Sequence, residues 1–524
     1  MDHSHPPQAD DGLPRSVFFI GATYVILAVV TSLVLGRFIY WDDWVVIGVR
    51  PEWVIERFLQ AGTPFAWTGW LLTTVNDALI PVSRLSTQAL WLLTCGLFAR
   101  IVYRNVKSAP IAALVGLVAL IAPLNSARVA VINMPAMLCV TLFFVGWLSI
   151  HRRAWLATPA FLLSFTLPSL LFLFAAPFVE RCWHAWNTSE WRKPTVAVQL
   201  VLYALLPPGY WLAKSIWWAP RGIYQGYNTE TSLANVKWAG ELVVDDAQHI
   251  AQHLAPAWYL ALALVTVLAW PIARSLTRSL QSTRESKEAR GTRWPLWLAL
   301  CGVAMLVLAV LPYLLVGNPP RWAVWDSRNQ ALVPFAFALL LAALLVWLPR
   351  RSAAAVMALC LSVGLLHWAG QTYVIWRDGL KQEAIQRLWA AEPAVRDAHI
   401  IMLDDRSGIP FANRRNPGWY ELSGLLADAF GNERRIAIEA PQWTNHLCQA
   451  KEHFRFRTPY YRTGDTMEAF PSSPQDLNIV RTVLTDESGS RRWWKRLLKP
   501  TVGLRMTAQR EFDHCPSKAP EAGG

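Results

Sequence analysis

Apolar residues run through the first three quarters of the chain in blocks of about 12 to 22, separated by short basic or aromatic stretches. Blocks of that length without a polar stripe predict helices buried on all sides or immersed in lipid, not amphipathic surface helices. The pattern predicts about eleven spans, near residues 16 to 38, 85 to 103, 109 to 124, 129 to 150, 154 to 165, 168 to 181, 195 to 213, 256 to 274, 295 to 316, 329 to 349 and 353 to 374. The stretch "AWLATPAFLLSFTLPSLLFLFAAPFVER" reads either as one span or as two short ones turning at Thr166-Leu167-Pro168-Ser169. After residue 375 the apolar blocks stop. "GLKQEAIQRLWAAEPAV" has a helical period, "AHIIMLDD" and "RIAIEA" read as buried strands, and "YELSGLLADAF" reads as a helix ending at Gly431. Alternating helix and strand predicts a small α/β domain over 376–524.

Composition sharpens this picture. The chain of 524 residues is 54% hydrophobic and 16% charged, as expected of an integral membrane protein. Its formal net charge of +13 would point to nucleic acid in a soluble protein. Here the basic residues sit in short loops between apolar blocks, so the charge is assigned to topology and a nucleic-acid partner is excluded. Arg100, Arg104 and Lys107; Arg152 and Arg153; Arg181, Arg192 and Lys193; Arg274 through Arg293; and Arg350 with Arg351 fall on one side when the N-terminus is cytoplasmic. That arrangement requires 154 to 181 to be two short spans, with the turn between them shielded by protein or facing water. The expected fold is thus an α-helical polytopic membrane protein with a C-terminal extracytoplasmic α/β domain. Its regions are a cytoplasmic tail 1–15, a membrane domain 16–375 with outer loops 39–84 and 214–255, and a periplasmic domain 376–524. The first apolar block lacks a small-x-small cleavage site and reads as a retained anchor in the inner (plasma) membrane. Many of the 29 Trp border apolar blocks, as interfacial belts do.

Candidate chemistry begins at "FIYWDDWVVIG", residues 38 to 48, where Asp42 and Asp43 stand between Trp41 and Trp44 just past the first block. A single acid there would be an ordinary helix end meeting water. Two adjacent, partly buried carboxylates repel one another, a cost usually tolerated at functional sites. With "YWDDW" in this position, the chain resembles the GT-C superfamily of integral membrane glycosyltransferases. "PEWVIERFLQAG" and "GWLLTTVNDALI" would be that family's interfacial helices in the first outer loop, and the doubled short span at 154 to 181 looks like its middle helices.

The resemblance implies an enzyme that transfers a sugar, with inversion, from a polyprenyl-phosphate donor to an acceptor hydroxyl on a glycan, lipid or protein at the outer face of the membrane. Asp42 or Asp43 would be the general base. The partner carboxylate would orient acceptor or metal, and Trp41 and Trp44 would border the substrate. No predicted cytoplasmic loop exceeds roughly two dozen residues, too few for a nucleotide-sugar domain, which agrees with a lipid-borne donor. Its phosphate needs cations. Arg328, steadied by Asp326, and Arg321 precede the tenth span. Arg221 lies among Trp217, Trp218, Tyr224 and Tyr227, a composition that suits sugar stacking or an interfacial rim equally. Each Arg also fits plain headgroup anchoring.

In "DDAQHIAQH", Asp246, His249 and His253 share one helical face, a spacing for a divalent metal or for a solvated polar face. No Glu follows His249, so this is not the metalloprotease signature. Of the seven Cys, Cys448 and Cys515 fall in the tail, where an oxidising periplasm would allow them to pair. "NTS" at 187 to 189 fits a glycosylation sequon but falls on the cytoplasmic side of this topology. "LDDR" ends a strand, as a glycan contact or a plain loop. Two other activities fit the same architecture. A polysaccharide polymerase or ligase usually carries catalytic basic residues in a late periplasmic loop, and a lipid-linked glycan transporter carries ionisable residues within its spans.

Overall fold

The computed structural model describes residues 15–75, 77–123, 127–151, 153–225, 232, 235–237, 241, 256–288, 294–318, 325–412, 417–431, 435–440, 478–487 and 499–511. It is a multi-span helical membrane protein. Among the described residues, six helices are long and apolar enough to cross a bilayer: Ile80–Val106, Val131–Ser149, Pro194–Trp217, Trp258–Gln281, Trp294–Leu315 and Arg350–Ala391. Four shorter apolar helices, Ile20–Leu35, Ala109–Ile121, Ala154–Ser164 and Val333–Trp347, accompany them. The stretch from 154 to 187 is broken, with Ala154–Ser164 and Ser169–Leu173 separated by turns before Ala175–Asn187 follows.

The chain falls into two compact units. One comprises Met1–Val34, Ala61–Phe65 and Pro81–Gln371, and the other Leu35–Gln60, Ala66–Ile80 and Thr372–Gly524. In the first, the Ala109–Ile121 helix has no polar stripe and is buried on every side, so it is a central element. Next to it, Phe98, Phe143, Phe144 and Phe335 pack at edge-to-face or tilted angles with ring centroids 4.7 to 5.7 Å apart, spacings favoured by the aromatic quadrupole. A Cβ at Gly364 would come within 2.5 Å of the Ile121 carbonyl, so glycine there lets two backbones approach closely.

The second unit is built on a four-stranded sheet of β1 (Ile400–Asp405), β2 (Ile436–Glu439), β3 (Ile479–Asp486) and β4 (Leu504–Glu511), in the order β2-β1-β3-β4. The first three strands are parallel and β4 pairs antiparallel to β3. β1 therefore lies in the middle and is buried on both faces, which explains the unbroken "IIML" run. The Trp419–Phe430 helix connects β1 to β2 and stops at Gly431, whose φ of +60° forms a left-handed cap. One face of the sheet carries Ile401, Leu403, Ala437, Val480 and Leu484 into a core with Ile385 and Trp389 of the Arg350–Ala391 helix and Leu422, Leu425 and Leu426 of the Trp419–Phe430 helix. Trp44 belongs to the same core, although more than 330 residues separate it from most of its partners. The acidic turn is thus fastened to the C-terminal sheet unit by a buried indole.

Candidate functional site

The acidic turn is a 3-10 helix, Trp41–Val45, entered from an extended Tyr40. Trp41 has a φ of +49°, in the left-handed region that a bulky aromatic residue seldom occupies. Such strain costs roughly 1–3 kcal/mol and persists only where surrounding packing over-determines it. That packing is present. Trp41, Asp43 and Trp44 are buried, and Tyr40 is fully enclosed. The Asp43 N–H donates to the Tyr40 carbonyl at 2.9 Å, and the Asp43 carbonyl accepts from Val46 and Ile47 at 3.1 and 2.9 Å. From the following helix, Pro51–Gln60, buried Arg57 donates Nη1–H to the Val45 carbonyl at 2.7 Å. The turn is held at both ends.

The two carboxylates are not equivalent. Asp43 has no exposed surface, whereas Asp42 is half-buried and keeps a face to its surroundings. Asp42 Oδ1 accepts a hydrogen bond from the Tyr420 hydroxyl at 2.9 Å, across 378 positions of sequence. Tyr420 lies in the first turn of the Trp419–Phe430 helix, and that turn is fixed by the Glu421 carboxylate, which accepts the Gly418 N–H at 3.0 Å. A Cβ at position 418 would lie 2.6 Å from the Tyr420 ring, so glycine leaves room for the phenol. The result is one half-buried carboxylate that accepts from the Tyr420 hydroxyl, next in sequence to a fully buried acid.

A second acidic dipeptide ends β1. Asp404 accepts from Arg406 at 2.7 Å and from Arg481 at 2.6 Å, and these hydrogen bonds hold its carboxyl below the usual carboxylate range. Asp405 pairs with the fully buried Lys381 and accepts from the Ser407 hydroxyl at 2.6 Å. Lys381 also donates to the Ile409 carbonyl and lies 4.0 Å from the centre of the Phe411 ring. On the next strand, burial pushes the Glu439 carboxyl up to about 7.

Arg328 is half-buried in the Trp325–Gln330 turn of the first unit. Arg221 is exposed and precedes the Gly222–Tyr224 turn, whose Tyr224 is half-buried. Arg321, Tyr227, Asp246, His249, His253, Cys448 and Cys515 lie outside the described residues. Of the aromatic pair flanking the acids, Trp44 is 3% exposed and packed in the sheet core, so its role in the structure is anchorage.

Tyr420 and Arg57 are the site residues that sequence reasoning missed. Arg57 carried a signal, as the one cation on the apolar-facing side of a short amphipathic helix; Tyr420 carried none, since only the fold brings it to Asp42. Comparison with protein-family models, with curated proteins and with solved structures gave no match.

Proposed function

We propose that the protein is a membrane glycosyltransferase that moves a sugar from a polyprenyl-phosphate donor to an acceptor hydroxyl at the outer face of the membrane, with Asp42 as general base. The observation that carries this reading is the pairing of a strained, doubly anchored turn with one accessible carboxylate held by Tyr420. Strain and buried acid at a single short turn, immediately after the first apolar helix, are features that folding alone does not require.

In this mechanism Asp42 takes the proton of the acceptor hydroxyl as its oxygen attacks the anomeric carbon. The carbon–oxygen bond to the lipid phosphate breaks with inversion, and the phosphate leaves as an anion. Tyr420 fixes the carboxylate so that one oxygen stays directed at the acceptor. Asp43, sealed inside the turn, shapes the backbone and is not a proton carrier. Arg328, Arg321 and Arg221 are the cations nearest in character to a phosphate clamp, through two-pronged guanidinium contacts. The C-terminal sheet unit would recognise the acceptor, since it supplies the residue that orients the base. On the topology set by the basic loops, this unit is periplasmic and the N-terminus cytoplasmic.

The test is sugar transfer from a radiolabelled polyprenyl-phosphate-sugar pool in membranes carrying wild type, Asp42→Asn or Asp43→Asn at matched protein levels. Loss of transfer in Asp42→Asn supports the reading. Undiminished transfer in that variant removes the base, and absence of transfer by wild type removes the activity and favours a polymerase or transporter.

A further inference from the structure

The first unit contains a buried cation that the acidic turn does not explain. Arg128 sits in the short Ala127–Val129 turn between two apolar helices, Ala109–Ile121 and Met134–Ser149. It is 9% exposed, and among the described residues its guanidinium has neither an ion pair nor a hydrogen bond. Its neighbours are aromatic faces. The guanidinium carbon lies 4.8 Å from the centre of the Trp368 ring and 5.9 Å from that of Trp91.

Both rings are held in place. Trp368 Nε1–H donates to Thr31 Oγ1 at 2.9 Å, and Trp91 Nε1–H donates to the Leu120 carbonyl at 3.2 Å. Tyr24 meets Trp368 edge-on, with ring centres 4.8 Å apart, and its hydroxyl donates to Gln88 Oε1 at 2.9 Å. The turn itself is pinned by Asn133 Nδ2–H on the Ala127 carbonyl at 2.7 Å and by buried Arg84, whose Nε–H donates to the Val129 carbonyl at 3.1 Å. This is a rigid cradle for a charge.

A guanidinium removed from water ordinarily has a carboxylate or several carbonyls as compensation, and in a membrane protein an ionisable group without them marks a ligand path. Cation–π attraction to two indoles recovers part of the cost while leaving every N–H of the planar fork available. The surrounding charge selects the ligand further. The Trp325–Gln330 turn that carries Arg328 packs on the Ala127–Val129 turn, and Arg84 bonds to the same turn, so three guanidinium-bearing residues gather on this one piece of backbone. Guanidinium forks present paired N–H donors that suit the several oxygens of a phosphate group.

We infer that Arg128, seated on Trp91 and Trp368, is a binding residue for a phosphate group within the membrane unit. The inference does not need Asp42 to be a base: a chain that binds phosphate here and transfers no sugar would keep it and lose the proposed function.

The full-length protein in nanodiscs of zwitterionic lipid, titrated with tritiated polyprenyl phosphate, tests it. Saturable binding is expected, with affinity at least tenfold higher than for the neutral polyprenol of equal length, a difference of about 1.4 kcal/mol or more. Arg128→Gln, folded by thermal midpoint, should weaken binding of the phosphate at least tenfold without altering polyprenol binding. Arg128→Lys should recover part of the loss, because a point charge replaces a stacked fork. Displacement by millimolar inorganic phosphate would identify the free anion as a sufficient ligand, and retention of the probe would identify the lipid headgroup; either supports an anion site. Equal affinity for polyprenol and its phosphate in wild type, a result that requires no variant to fold, would overturn the inference. So would wild-type affinity in folded Arg128→Gln.

Discussion

The second unit contains two Asp-Asp dipeptides, and their surroundings differ. Asp404 and Asp405 end a central parallel strand, and each is met by a cation: Arg406 and Arg481 for the first, Lys381 for the second. Asp42 and Asp43 occupy a strained turn, where a phenol hydroxyl holds the first and the second is sealed inside. The same two residues therefore serve opposite ends. At the strand end, ion pairs lock a loop onto a helix, since Lys381 joins β1 to the Ile409 carbonyl and neighbouring Asp378 accepts the Ala412 N–H at 3.1 Å. At the turn, the Tyr420 hydroxyl donates to the Asp42 carboxylate, on backbone that carries a left-handed Trp41. Sequence motif alone does not separate the two acid pairs; backbone strain and unequal burial do.

Exchanging the roles in this comparison should fail, and the largest effect is expected at the turn. Asp42→Asn should lower the rate of sugar transfer by about 10²–10⁴-fold, the usual contribution of a general base, while Asp404→Asn changes it less than about twofold. Comparable losses in both, measured at equal protein abundance, would erase the distinction. At the strand end the effect should appear in stability instead. Lys381→Met leaves the Asp405 carboxylate inside without its cation and should cost about 3–5 kcal/mol, read as a lower unfolding midpoint of the full chain. A midpoint like that of wild type would show that the pair is not structural.

Tyr420→Phe probes the link more gently. Transfer should fall about threefold to tenfold, chiefly in kcat with KM little changed, because the acceptor still binds while the carboxylate is less well directed. A change confined to KM would assign Tyr420 to substrate binding. The smallest effect is expected at Glu439, where burial raises the carboxyl to about 7 from an ordinary value of 4.5. The unfolded chain loses this proton at lower pH than the folded one, so Glu439 disfavours the folded state increasingly as pH rises from 4.5 through 7, and not at all well below 4.5. Glu439→Gln should therefore be more stable than wild type at pH 8 and indistinguishable from it at pH 4, in thermal midpoints across that range. A constant difference at all pH values would contradict the assignment.

Much of this architecture is legible in the linear pattern, for reasons that are local. Apolar blocks of span length identify the helices because bilayer thickness sets their length. "AHIIMLDD", "RIAIEA" and the helix that stops at Gly431 are readable from side-chain period and a left-handed cap. The turn at Thr166 to Ser169 shows itself through proline. What escapes the pattern is long-range. Nothing local brings Trp44 into a core of residues beyond 380, or Tyr420 to Asp42. Strain at Trp41 is equally silent, because tertiary packing imposes it against the residue's own preference. Arg128 reads as an ordinary loop cation until the two indoles beneath its guanidinium are seen together. The acidic pair drew notice from composition, but the unequal burial that nominates Asp42 over Asp43 belongs to the fold.

Asp42 is proposed to act in the chemical step, which a single-turnover measurement isolates from binding and release. Purified full-length protein in liposomes would be preloaded with a polyprenyl-phosphate-linked radiolabelled sugar, and acceptor added in excess to wild type and to Asp42→Asn. Asp42→Asn should keep donor affinity within about twofold of wild type and transfer sugar at least about 100-fold more slowly, the signature of an interaction made only in the transition state. Equal single-turnover rates in the two proteins would contradict it.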